Sequence, residues 1–277
     1  MEVYYINTNN VKIDLLSAPY FIETTDFFEH EWSYSKENRK VKEFYRDVAE
    51  KNVEMDVISN SYNEYCNALN NLIDVFDVDI VKNQQGKLYF NDYYLKCNVF
   101  SSEKDLQSYV VPYAKIDLGI VCNRVKWIKE ETYSFYMSNT DVQELAENKI
   151  YSYRYPYKYG AAGGQGSVRN NGVIENDILI RVYGPATNPL VTIGGNIYQV
   201  NTTLESNERL EINTLEQTCY KITAYGDKIN CFNDRDKSRQ LYVKLPPGAN
   251  TVVWNNSFNF DIVVFNARSE PLWENML

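Results

Sequence analysis

The sequence predicts a mainly β protein in which an N-terminal β-rich half carries one amphipathic helix and a C-terminal half forms a β-sandwich. Three observations lead there. From residue 178 to 265, short apolar runs at 178–182, 190–193 and 197–200 are separated by turns such as Gly184-Pro185-Ala186-Thr187-Asn188-Pro189 and Gly194-Gly195-Asn196, the rhythm of a sandwich. One segment alone has helical spacing: Tyr62, Tyr65, Cys66, Leu69, Leu72, Ile73 and Phe76 recur at three- and four-residue steps. With 44% hydrophobic and 14% aromatic residues, a chain of 277 residues can bury a core large enough to fold.

Taken in order, Val53, Met55 and Val57 alternate with polar residues and read as a strand. Ser61 followed by Glu64 is a capping box that opens the helix. The apolar stripe extends it for about four turns. Asp74, Asp77 and Asp79 are expected just past its end, where the helix dipole disfavours acids and calls for a neutralising partner. Strands follow at 87–90, 93–99 and 115–122, with Asn91-Asp92 as a tight turn between the first two. The pattern weakens between 131 and 151, and Ser138-Asn139-Thr140-Asp141 is a polar break. It divides the chain into domains 1–137 and 138–277. Beyond it Tyr151, Tyr153, Tyr155, Tyr157 and Tyr159 alternate with other residues, a ladder that faces either a core or a partner. Gly160-Ala161-Ala162-Gly163-Gly164-Gln165-Gly166 matches no phosphate-binding spacing and reads as a flexible loop.

Little in the chain points to covalent chemistry. There is one histidine, His30, and no cluster at metal-ligand or catalytic-triad spacing, so no catalytic, cofactor or metal residues are expected. The five cysteines, Cys66, Cys97, Cys122, Cys219 and Cys231, are scattered without a CxxC and read as free thiols packed in cores, which suits a reducing cytosol. A net charge of −9 argues against specific nucleic-acid binding. No basic and apolar leader opens the chain and no run nears the ~20 apolar residues of a membrane span, so no membrane association is expected.

Several motifs come in a suggestive order. Ser17-Ala18-Pro19-Tyr20-Phe21-Ile22, Glu31-Trp32-Ser33-Tyr34, the helix around Tyr65-Cys66-Asn67-Ala68-Leu69-Asn70, Gly86-Lys87-Leu88-Tyr89 and Trp127-Ile128 mark the first half. Val182-Tyr183-Gly184-Pro185, Glu208-Arg209-Leu210-Glu211-Ile212 and Leu245-Pro246-Pro247-Gly248-Ala249-Asn250-Thr251 mark the second. In this order the chain resembles the distal tail proteins of phages that infect Gram-positive bacteria, and their prophage relatives. That resemblance implies an N-terminal ring-forming domain, usually hexameric, and a C-terminal galectin-like sandwich. It implies a non-enzymatic hub at the virion tail tip, made in the host cytoplasm. Its partners would be the tail tube protein, a tail-associated fibre or lysin protein, and receptor-binding or baseplate proteins. Under this reading Tyr93, Leu95, Cys97, Val99, Lys115 and Asp117 are the expected ring interface. The alternative is a carbohydrate-binding module that takes host cell-wall polysaccharide on Tyr153, Tyr155, Tyr157 and Trp254.

Overall fold

The computed structural model describes residues 1–105, 112–137 and 164–272. The chain divides into an N-terminal unit, Met1–Lys129 joined by the returning chain from Ala267, and a C-terminal unit, Glu130–Asn266.

The N-terminal unit holds β1 (Val3–Ile6), β2 (Lys12–Asp14), β3 (Tyr20–Thr25), β4 (Ser33–Glu37), β5 (Lys40–Tyr45), β6 (Ala49–Ile58), α1 (Tyr62–Lys82), β7 (Gly86–Phe90), β8 (Tyr93–Asp105), β9 (Tyr113–Cys122) and the start of β10 (Trp127–Phe135). β8 is its hinge strand. Its first half pairs with β7 and β10, while from Asn98 onward it pairs with β9, with a register shift between Val99 and Ser101. A bulge of this kind bends a strand, so β8 serves two sheets, β2-β1-β7-β8 and β3-β6-β9-β8. Trp127, Met55, Leu72, Leu95 and Ile116 fill the core between the sheets and the helix.

Helix α1 begins as the capping box requires, with the Ser61 hydroxyl accepting from the Glu64 N–H at 3.3 Å. It runs 21 residues, longer than its apolar stripe suggested, and ends at Asn83 in the left-handed region (φ 50°). The added turns come from Asp79. Instead of lying past the helix end, it sits inside the last turns, fully buried, accepting the Tyr5 hydroxyl at 2.6 Å and the Thr8 N–H at 2.8 Å. Its partners are thus neutral donors rather than a cation, while Asp74 and Asp77 face solvent.

The C-terminal unit holds the end of β10 and β11 (Gly164–Asn170), β12 (Asp177–Tyr183), β13 (Ala186–Thr187), β14 (Leu190–Ile193), β15 (Asn196–Gln199), β16 (Thr203–Leu204), β17 (Arg209–Asn213), β18 (Thr218–Ile222), β19 (Lys228–Asn230), β20 (Gly248–Trp254) and β21 (Phe260–Arg268). One sheet runs β19-β18-β17-β12-β21 and a second β11-β20-β14-β15. Ile178, Ile180, Val182 and Ile262 from the first share one core with Val168, Val191, Ile193 and Val252 from the second, which makes a two-sheet sandwich. The turn after β12 needs Gly184, because a β-carbon there would lie 2.0 Å from the Glu205 carbonyl oxygen.

The glycine-rich run is not wholly a loop. Gly164 and Gly166 belong to β11, paired with β20 across Gly164↔Trp254 and Gly166↔Val252. A β-carbon at Gly164 would fall 2.3 Å from the Trp254 ring, and one at Gly166 2.6 Å from Phe135. These glycines make room for aromatic rings rather than for backbone motion.

Candidate assembly surface

Among the described residues the sheet β3-β6-β9-β8 ends in two edges that pair with no further strand: β3, whose outer side is partly capped by the Ile22 N–H bond to the Leu15 carbonyl at 3.0 Å, and the second half of β8 after β7 has left it. Unpaired edges are templates for adding a strand from another chain. The inner face of this sheet is apolar, with Val53, Met55, Val57, Ile116 and Leu118 buried. The other face is acidic. Register sets Glu54 on β6, Asp117 on β9 and Glu103 on β8 directly opposite one another in one row. The next row is Asp56, Lys115 and Asp105. Lys115 reaches Glu23 at 2.9 Å and Glu54 at 3.2 Å. Those two hydrogen bonds push its pKa up, and the bond from Lys115 is the leading cause that lowers that of Glu54. Like charges directly opposed across strands repel, so Asp117→Asn should raise the thermal midpoint of the isolated chain by about 2 °C, from ~0.5 kcal/mol of relieved repulsion. A melt that falls instead would mean that Asp117 has a stabilising partner.

The second feature is the hairpin β4–β5, which pairs with no other strand among the described residues. Asn38 and Arg39 take φ of 51° and 64°, the pair of positive values a two-residue hairpin turn requires. Tyr34 lies opposite Phe44, ring centroids 6.1 Å apart. Trp32, Tyr34, Val41 and Phe44 are 43, 48, 49 and 62% exposed. The tip, residues 36–43, carries four basic residues and two acids in a chain that is otherwise acidic. At the base, Arg46 stacks 4.3 Å from the Trp32 ring and hydrogen-bonds the Val125 carbonyl and the Ser269 hydroxyl. His30 meets Glu270 at 2.9 Å. An isolated two-stranded hairpin is marginal in water, and this one holds Trp32, Tyr34, Val41 and Phe44 in solvent beside a basic tip.

The residues singled out from sequence fall in three places. Leu95 and Cys97 are fully buried and Tyr93 and Val99 nearly so, with their side chains in the core rather than on an outer face. Lys115 and Asp117 lie on the acidic face. Trp254 is 6% exposed, packed against Phe135 and Phe260. Tyr153, Tyr155 and Tyr157 lie outside the described residues. The hairpin escaped the sequence reading, although Glu37-Asn38-Arg39-Lys40 between alternating Ser33-Tyr34-Ser35 and Val41 to Tyr45 carries its signal.

No protein-family model and no curated protein matches this sequence. Solved structures do match in fold. The Dit protein of phage SPP1, described as a paradigm of hub adsorption apparatus in phages infecting Gram-positive bacteria, superposes with a TM-score of 0.56 at 10% identity, covering 96% of this chain and 99% of that one. The chain has the Dit fold. A chain of the phage P2 baseplate, solved in its activated conformation with Ca, reaches a TM-score of 0.64 at 11% identity, covering 98% of this chain and 99% of its own. One from the baseplate with Sr reaches 0.59 at 12% identity, covering 95% and 97%. The Dit fold thus covers nearly the whole chain with almost no shared sequence. Among the described residues no group of histidine, cysteine or carboxylates could hold a metal, and no helix is long and apolar enough to cross a membrane.

Proposed function

We propose that this protein is a structural hub of a phage tail tip, made in the bacterial cytoplasm and carried on the virion. Copies of the chain close into a ring, six by the family resemblance, with edge β3 of one meeting the distal edge of β8 of the next. The hairpin β4–β5 grips a neighbour with its exposed aromatic residues. Such head-to-tail contacts are heterologous and close when the rotation between copies completes a circle. The observation that carries this reading is the acidic row Glu54, Asp117 and Glu103 on a sheet whose last strands, β3 and the distal half of β8, pair with no further strand among the described residues. A row of opposed like charges costs the monomer stability. It serves a ring whose lumen must let DNA through without holding it, since a negative wall repels phosphate. The tail tube protein, a tail-associated fibre or lysin protein, and receptor-binding or baseplate proteins are the partners such a hub would join, and it would do so without turnover.

Light scattering on the purified chain over a range of concentrations tests this. The expected mass is six times the 32.3 kDa chain, or one rising toward it. Tyr34→Ser with Phe44→Ser should shift it to the monomer with no loss of folded structure, because both side chains are exposed. A wild-type mass of one chain at every concentration would count against the ring, and an unchanged hexamer in the double variant would remove the hairpin from it.

A further inference from the structure

The five cysteines look scattered in sequence, but four of them meet across strands in two pairs, one within each unit. The register of β8 and β9, with Asn98 opposite Val121, continues directly to Cys97 and Cys122, both fully buried. Cys122 lies close enough to Cys97 to raise the pKa of its thiol. In the C-terminal unit the ladder of β18 and β19, with Tyr220 opposite Asn230, continues to Cys219 and Cys231, whose main chains are joined by a 2.9 Å bond from the Cys231 N–H to the Cys219 carbonyl. There the Cys231 thiol is engaged elsewhere, donating to the Ile229 carbonyl at 3.6 Å.

Directly opposed residues on antiparallel strands hold their α-carbons about 4.5–5.5 Å apart. Disulfides span ~4.4–6.8 Å between α-carbons, so the backbone of such a pair already satisfies the first geometric condition. We propose that Cys97 and Cys122 are a cross-strand disulfide site that closes by exchange with a small-molecule disulfide, such as oxidised glutathione, and fastens β8 to β9. One thiolate attacks the glutathione disulfide, and the second displaces glutathione from the mixed disulfide. The protein thiols are oxidised to one S–S bond, one S–S bond of glutathione is broken, and the two protons end on two glutathione thiols. In the folded chain the reaction is slow, because the neighbouring Cys122 thiol and then burial push the Cys97 thiol well above its usual range and deplete the attacking thiolate. Closure therefore belongs to folding, or to an opening of β9, under oxidising conditions. This does not depend on ring formation.

The test is to refold the full chain from denaturant through a glutathione redox buffer, block remaining thiols by alkylation, and map the peptides by mass. One disulfide is expected, between Cys97 and Cys122, with Cys66, Cys219 and Cys231 alkylated. The thermal midpoint of the oxidised chain should stand about 8 °C above the reduced one and return with dithiothreitol. Cys97→Ser should remove both the bond and the shift. Five alkylated cysteines after refolding, or a bond that joins any other pair, would overturn the proposal.

Discussion

Replacing Asp79 by alanine is expected to destabilise the N-terminal unit by about 3 kcal/mol and to lower its thermal midpoint by ~9 °C. The carboxylate is fully buried, with one oxygen on the Tyr5 hydroxyl at 2.6 Å and the other on the Thr8 N–H at 2.8 Å. Its removal takes the acceptor from the part-buried Thr8 N–H and leaves the buried Tyr5 hydroxyl only the longer 3.4 Å bond to the Cys97 carbonyl, and the larger cost is those poorly satisfied groups rather than the bonds themselves. Burial pushes the Tyr5 phenol far above its usual pKa, so it remains a donor at every workable pH. Gly86 belongs to the same knot: a β-carbon there would lie 2.2 Å from the Tyr5 oxygen and 2.4 Å from an Asp79 oxygen, so Gly86→Ala should cost a comparable amount. Asp79→Asn is the diagnostic variant. It keeps the shape and one acceptor but turns an amide NH2 toward a donor, and should lose about half as much. Calorimetry on the full chain checks this series. A loss in Asp79→Ala below about 1 kcal/mol would mean that water fills the site and satisfies both donors.

Much of the fold was legible because it rests on local periodicity. Alternation at Val53, Met55 and Val57 found β6, and the spacing from Tyr65 to Phe76 together with Ser61 and Glu64 found α1 and its start. The end of α1 was not legible, because Asp79 is buried by residues from β1 and the turn after it, contacts some seventy positions away. The glycines of β11 misled for a related reason. Alone they signal freedom, and only the rings of Trp254 on the neighbouring strand and of Phe135 explain them. Which strand residues point outward was legible only in part. Lys115 and Asp117 alternate outward on β9, yet their strand neighbours are fixed by register with β6 and β8, which sequence does not give. Alternation alone cannot say which face of a strand meets solvent when both faces carry usable side chains, and so Leu95 and Cys97 looked as available as Asp117. The cysteine pairs show the same limit: Cys97 and Cys122 are opposed only once the register between their strands is known.

Trp254→Ala is expected to destabilise the C-terminal unit by about 4 kcal/mol, the usual cost of emptying a buried tryptophan site, and to lower its midpoint by ~12 °C. The ring stands edge-on to Phe135 at 5.6 Å and to Phe260 at 5.2 Å, over the gap left by Gly164. Phe135 stacks in turn on Phe260 at 4.8 Å, so the loss exposes a cluster rather than one contact. The indole N–H is buried with no acceptor among the described residues. Trp254→Phe should therefore cost much less than alanine, since the phenyl ring refills most of the volume and removes the unpaired donor. The pair of variants also decides what Trp254 is for. If its ring is core, both variants change stability in the order alanine, then phenylalanine, and any adsorption to purified host wall polysaccharide follows the folded fraction. A contact residue for sugar would behave in the opposite way, with adsorption lost in Trp254→Ala at an unchanged midpoint. With 6% of its surface exposed, Trp254 has almost no face on which a sugar could stack, and the first pattern is the expected one.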